Sequence, residues 1–246
     1  MEQQPTSTQD TRLLPQENST HSEAKKWCPV CEYPIGPDGC DHCSDEQEKV
    51  LEAARLKKIG QEDKLEKAVK SLGGKKAYHC FTKEKFVRRC PALEYAHHSA
   101  VEFDPDKENL YIFGPTGTGK THLATIAART QKKYVPEVLK PQTISEFIRC
   151  SADANQEASR IESLQEARLL VIDDIGTEKM TEFLASLIYR IIDGRYMDMR
   201  NGLVITSNLD LNQLTEKLGS DRIPSRLAQM CKIISLVGQQ DWRVKK

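Results

Sequence analysis

The chain has 246 residues, 38% of them hydrophobic, which suffices for one sizeable core plus a small module but not for two large domains. Its 36 basic and 36 acidic residues cancel, so no global field draws it to nucleic acid, and any such contact must rest on a local patch. No uninterrupted apolar run reaches the length of a membrane span, and the N-terminal stretch lacks the basic start and apolar segment of a secretory leader, so a cytoplasmic location with reduced cysteines is expected.

Residues 1–24 are polar, rich in Gln, Ser and Thr, and read as a tail without fixed structure. Residues 25–44 contain CPVCEYPIGPDGCDHC, in which Cys28, Cys31, Cys40 and Cys43 follow the pattern C-x2-C-x8-C-x2-C. Two thiolate pairs joined by a Gly-, Pro- and Asp-rich connector suit tetrahedral Zn²⁺. So short a segment buries no core of its own, and the metal would provide its folding energy. Four protein ligands leave no open position, so the site reads as structural; His42 is an alternative donor, but Cys43 fits the spacing better. Residues 45–74 are strong helix formers with interleaved charge and only a thin apolar stripe of Val50, Ala54, Ala68, Val69 and Leu72. They read as a helical linker that Gly73 and Gly74 end.

From residue 75 to 246 the pattern changes. The segment GGKKAYHCFTKEKFVRRC (73–90) mixes rings with cations, as single-stranded nucleic acid sites do. The favoured reading, however, docks Phe81 and Phe86 on the following domain. His97 and His98 read as a surface pair. LYIF (110–113) is a buried strand, followed by a Gly-rich turn and the helix THLATIAARTQKK. YVPEVLK (134–140) is a weaker strand, ISEFIRC begins a helix, and LLVIDDIG (169–176) is a strong strand. TEFLASLIYRIIDGRYMD is helical, with Phe183, Leu184, Leu187, Ile188, Ile191 and Ile192 on one face. GLVITSN (202–208) and KIISLVG (232–238) complete the strands. Strands alternating with helices predict an α/β fold with a parallel, doubly wound sheet covered on both faces. Cys80, Cys90, Cys150 and Cys231 have no partner at ligand spacing.

GPTGTGKT (114–121) fits the phosphate-loop pattern G-x-x-x-x-G-K-T between a strand and a helix. Gly114, Gly117 and Gly119 permit the tight turn that aims backbone N–H groups at phosphate oxygens, and the helix N-terminus adds positive potential. Pro115, Thr116, Thr118 and His122 complete the nucleotide-binding stretch. Lys120 reaches the β- and γ-phosphates of ATP, and Thr121 ligates Mg²⁺. Asp173 and Asp174 end a buried strand where ligands sit in open α/β sheets. Asp173 is assigned to the metal and Asp174 to the attacking water; an aspartate at this second place is one methylene shorter than glutamate, so slow hydrolysis is expected. Asn208 ends a strand expected beside the acidic one, as a sensor of the γ-phosphate or the lytic water.

GPTGTGKTHLA, LLVIDDIG, ITSN and LGSDRIPSRL, in that order, resemble the AAA+ ATPase domain of the bacterial DnaC/DnaI helicase loaders over residues from about 75 to 246. The resemblance implies a P-loop AAA+ core acting in self-assembled oligomers, with a replicative hexameric helicase and single-stranded DNA as partners. It further implies an arginine that reaches the ATP of a neighbouring subunit: Arg226 is the first choice and Arg222 the second, in a stretch that Pro224 breaks. Arg243 is a candidate terminal phosphate sensor. IstB-like transposition helpers share much of the core and are the alternative; a zinc-dependent nucleotide switch with little hydrolysis is a third reading.

Overall fold

Five short runs of aliphatic and β-branched residues form the strands β1 (Leu110–Phe113), β2 (Glu137–Leu139), β3 (Leu170–Ile175), β4 (Leu203–Ser207) and β5 (Lys232–Ser235). They pair in parallel in the order β2-β3-β4-β1-β5. The computed structural model describes residues 28–29, 45–131, 133–141, 143–144, 146, 154–176 and 180–242. The chain divides into two units, residues 1–57 and 58–246; the sheet belongs to the second.

Side chains alternate across each strand, and in the central strands β1, β3 and β4 both sides are buried, while the edge strands β2 and β5 are partly exposed. Leu110, Ile112, Val171 and Val204 share one core with Leu123, Ile126 and Ala127 of α3 (Lys120–Thr130) and Leu93, Ala96 and Ala100 of α2 (Pro91–Val101). Tyr111, Leu170, Ile172, Leu203 and Ile205 share the other with Ile161 and Leu164 of α4 (Ala154–Glu166) and Leu187, Ile188, Ile191 and Ile192 of α5 (Glu182–Met197). The short helices α6 (Leu211–Leu218) and α7 (Arg222–Met230) add Leu214, Ile223 and Leu227 to this second core. Continuous apolar strands are therefore what a sheet covered on both faces requires, as the sequence predicts.

Several local expectations need correction. Phe183, placed on the buried face of α5, lies in the first turn and is 37% exposed, because the helix meets the core only from Leu184 onward. Gly73 and Gly74 do end the linker helix, as expected, but a second short helix follows at once: within α1 (Asp45–Cys80) both glycines leave helical geometry, Gly74 with φ of +66°, and helical backbone starts again and runs through Cys80. The linker's apolar stripe is real only near that kink, where Val69 and Leu72 are buried; Val50 is 66% exposed. Pro224 does not break the arginine segment. It occupies the third position of α7, in the first turn, where a backbone N–H has no intrahelical acceptor to lose. His97 is no surface residue: it is buried, stacked on Phe86, and its Nε2 lies 2.8 Å from the Lys83 carbonyl oxygen. The helix expected from ISEFIRC falls mostly outside the described residues.

One buried cation has no counterpart in the sequence reading. Arg195, at the end of α5, is fully buried and donates to the carbonyl oxygens of Leu164, Gln165, Ala167 and Asn201. It thereby ties the C-terminus of α4 to the chain entering β3. Burial lowers its pKa to about 10, so it remains charged at neutral pH.

The two α5 positions separate helix propensity from packing. Ile191→Ala should lower stability by about 2–5 kcal/mol, the range for a large aliphatic removed from a close-packed core. Phe183→Ala should cost less than about 1 kcal/mol. Urea denaturation of both variants checks this; equal losses would contradict the observed α5 face.

Candidate functional site

The strand order places the ends of β1, β3 and β4 side by side, which brings the phosphate loop, the acidic pair and the ITSN segment together. Gly114 N donates to the Ser207 carbonyl (3.2 Å), so the loop leaves β1 already tied to β4. Its turn depends on glycine at two crowded points. A Cβ on Gly117 (φ +81°) would overlap the Asp241 carboxylate, and one on Gly119 (φ +101°) would stand 3.0 Å from the Phe86 ring. Thr118 is buried and its hydroxyl donates to the Pro115 carbonyl. Lys120 is buried at the start of α3, where its Nζ donates to the carbonyl oxygens of Gly114 (2.9 Å) and Pro115 (2.8 Å). Phosphate oxygens can replace such carbonyl acceptors at little cost, because the ammonium keeps its hydrogen bonds.

The acids at the end of β3 sit in a bulge. Ile172 pairs with Ile205 and Ile175 with Ser207, so Asp173 and Asp174 together oppose the single residue Thr206. In a regular strand the two carboxylates would point to opposite faces. The extra residue removes that constraint, at the cost of a left-handed backbone at Asp174 (φ +71°), which a non-glycine residue adopts only under strain. Thr206 Oγ1 accepts from Asp174 N (2.8 Å) and donates to Asp173 Oδ1 (2.7 Å). Thr121 Oγ1 donates to the same Asp173 oxygen at 3.0 Å. Asp173 is 3% exposed, and burial raises its carboxyl pKa, an effect the hydrogen bonds from Thr206 and Thr121 partly offset. A hydroxyl and a carboxylate in contact beside the loop form the hard-oxygen donor set that suits Mg²⁺.

A cavity of about 400 Å³ opens beside these groups; Thr121 and Asp174 line it, whereas Asp173, Gly114 and Pro115 do not. Thr116 through His122 line it, with Asp174 and Asn208. Its other walls are Lys76, Phe81, Lys85, Phe86, Val87 and Trp242. The docking of Phe81 and Phe86 favoured from sequence is thus a docking onto the phosphate loop itself. Phe81 stacks on the His122 ring at 4.7 Å, and Phe86 meets the same ring edge-on at 5.2 Å. His122 Nε2 lies 2.9 Å from the Thr82 carbonyl, which can only accept, so the proton sits on Nε2; burial lowers the ring's pKa. Trp242 belongs to no motif in the sequence, yet it forms part of the wall. Its backbone N–H donates to Gly117 O (3.2 Å), and Arg89 stands 4.9 Å over its ring. The dipeptide DW just before Arg243 carried that signal, but nothing in the sequence says that the chain after β5 returns to the loop.

Not every candidate residue joins the cavity. Arg222 and Arg226 lie on α7 and do not line it. Arg243 lies outside the described residues, as do Cys31, Cys40 and Cys43; of the expected zinc ligands only Cys28 is described, and it is buried. Among the described residues, no group of three or more His, Cys, Asp and Glu could hold a metal ion. Nor, among them, is any helix long and apolar enough to cross a membrane.

Residues 56–246 match the family described as "IstB-like ATP binding protein". The chain is 27% identical over 152 residues to a protein of insertion sequence IS232 from Bacillus thuringiensis subsp. berliner, described as ATP-binding; the match covers 59% of this chain and 60% of that one. It is 24% identical over 191 residues to the replicative helicase loader DnaC of Escherichia coli, covering 74% of this chain and 76% of the loader. A crystal structure of the DnaC helicase loader superposes with a TM-score of 0.56 at 22% identity, covering 65% of this chain and 98% of that one, so the two share the fold.

The buried acid gives a test independent of nucleotide. Because folding raises the Asp173 pKa, its contribution to stability is present below the ordinary aspartate range and is lost as pH rises through the raised value. Above that raised value the ionised carboxylate is therefore a burden on folding. Asp173→Asn, which removes the charge and keeps an acceptor oxygen, should stabilise the nucleotide-free protein at pH 7 by on the order of 1 kcal/mol. The advantage should shrink toward pH 4. Thermal melts across this range check it; a variant less stable than wild type at pH 7 would contradict it.

Proposed function

The chain belongs to the IstB-like ATP-binding family, and on that premise we propose that it binds and hydrolyses ATP to load a hexameric replicative DNA helicase onto single-stranded DNA. The observation that carries the ATPase part is the bulge at the end of β3, which sets an acid pair against the phosphate loop. Loop amides and Lys120 hold the phosphates. Thr121 and Asp173 would hold Mg²⁺, which neutralises charge on the β- and γ-phosphates. Asp174, swung toward the cavity by its left-handed backbone, orients and polarises the attacking water. Asn208 hydrogen-bonds the γ-phosphate or that water. Arg226, with Arg222 as second choice, serves the ATP of the adjacent subunit, so assembly completes each site.

The loader reading is favoured by the extent of the match to DnaC, which covers about three quarters of both chains. The similarity to the IS232 protein supports a second reading, a helper ATPase that stimulates a transposase. Affinity capture with candidate partners separates the two: retention of a hexameric helicase supports loading, and retention of a transposase alone would sink it. The cysteine window at 28–43 is proposed as a structural zinc module, and metal analysis that finds no zinc in the purified protein would remove it.

For the chemistry, Lys120→Ala should abolish turnover; a rate it leaves unchanged would leave only a nucleotide switch. Arg226→Ala should keep ATP affinity while lowering stimulated hydrolysis by about 10³-fold or more. Mixing the two variants should restore part of the activity, since each supplies the half-site that the other lacks. Steady-state phosphate release reads all three, and normal hydrolysis by Arg226→Ala would show that the wrong arginine or the wrong architecture was chosen.

A further inference from the structure

Arg226 is surrounded by side chains from α5. Tyr189, Asp193 and Tyr196 follow the spacing i, i+4, i+7, which puts them on one stripe of that helix. Arg226 Nε donates to Asp193 Oδ1. Its guanidinium stands 4.8 Å from the centre of the Tyr196 ring and 5.8 Å from that of Tyr189. Arg222 also lies 5.8 Å from the Tyr189 ring. The Tyr196 hydroxyl donates to Gln229 Oε1 on α7, so this ring is pinned at its far end.

The Arg226 and Asp193 side chains are partly buried, 26% and 28% exposed, and an ion pair still in contact with water contributes only modestly to folding. What the cage does is restrict a long side chain to one orientation. Engagement through Nε leaves the two terminal nitrogens outside the Asp193 bond; the Tyr189 side chain is a further hydrogen-bond partner of the guanidinium, whose remaining donors suit phosphate oxygens. We propose that Asp193 is a positioning residue: from α5 it fixes Arg226 so that the guanidinium fork is presented, already ordered, to the ATP of the neighbouring subunit. This rests on the reading of Arg226 as the residue that acts across subunits.

The test isolates the donating subunit. An Arg226→Ala subunit keeps an intact nucleotide site and lacks the arginine, whereas a Lys120→Ala subunit keeps the arginine and lacks a working site. Stimulated hydrolysis is measured for Arg226→Ala mixed with Lys120→Ala, with Lys120→Ala/Asp193→Ala, or with Lys120→Ala/Asp193→Asn. The Asp193→Ala donor should give about 10- to 100-fold lower kcat, the upper end being the scale for a catalytic group misplaced by about 1 Å rather than removed. KM for ATP should stay within about twofold, because the subunit that holds ATP is unchanged. Asp193→Asn, which retains an acceptor for Nε, should recover part of the loss. Matching melting midpoints of the donor variants exclude misfolding as the cause. A double variant that restores hydrolysis as fully as Lys120→Ala, or more fully, overturns the proposal; the higher rate would mean that Asp193 restrains the arginine. If Lys120→Ala itself restores nothing, the reading of Arg226 falls and this proposal with it.

Discussion

Thr206 accepts the backbone N–H of Asp174 and donates to the carboxylate of Asp173, so one hydroxyl on β4 fixes both acids at the end of β3. Thr206 is fully buried and stands alone opposite two residues. Without its hydroxyl, the bulge would leave a backbone donor and a buried carboxylate without this partner, and the register beyond Ile172 would be less firmly set. The loop is tied to the same strand one residue later, through Gly114 N and the Ser207 carbonyl. The positions of Lys120, Thr121, Asp173 and Asp174 therefore share one reference, the end of β4, and a shift of that strand would move them together.

The architecture was legible in the sequence because a two-faced sheet writes itself as continuous apolar strands, and because the phosphate loop needs glycine and lysine at fixed spacing. The adjacency of the acidic and ITSN strands was legible too. The bulge was not: whether consecutive acids diverge or converge depends on the register with a partner strand, and neither strand's own residues state that register. Trp242 escaped notice for a related reason, since it reaches Gly117 only after the chain has passed through the whole sheet. His97 was misread because a histidine pair without spaced ligands usually lies in water, whereas here Phe86 covers one ring. The roles of Arg222 and Arg226 came from a family resemblance, and the α5 residues that cage Arg226 had no signature beyond a helical face.

Two buried charges illustrate how differently the fold treats structure and chemistry. Arg195 is enclosed by four carbonyl oxygens and keeps its proton despite burial. Asp173 is nearly as deeply buried, yet its hydrogen-bond partners are hydroxyls, which carry no positive charge, and the attraction of Lys140 does not outweigh the cost of burial. The first pattern satisfies the terminal nitrogens of a cation within the chain, leaving only its Nε without a hydrogen bond. The second leaves an anion undercompensated beside a loop shaped for phosphate, where a divalent cation would complete the balance. The left-handed Asp174 adds strain at the same point. Such local departures from the folding optimum are expected where binding, rather than packing, sets the sequence.

The division of cations bears on control. Lys120 belongs to the cavity, while Arg222 and Arg226 project from α7 and take no part in its walls. Loop, acids and lysine can bind nucleotide within one chain, but the charge that develops on a departing γ-phosphate calls for more positive potential than one lysine and one metal provide. If Arg226 acts across subunits as proposed, placing that cation on a different surface would make hydrolysis conditional on a neighbour. It also makes the orientation of that cation important, because an arginine that must be ordered at the moment of reaction loses rotamer freedom then, whereas one already held does not. Under that proposal, the contacts of Arg226 with Tyr189, Asp193 and Tyr196 would supply such ordering within the single chain. α5 would then have two duties set by its two faces: Leu187, Ile188 and Ile191 hold the sheet, and the opposing polar stripe would ready the subunit for a neighbour.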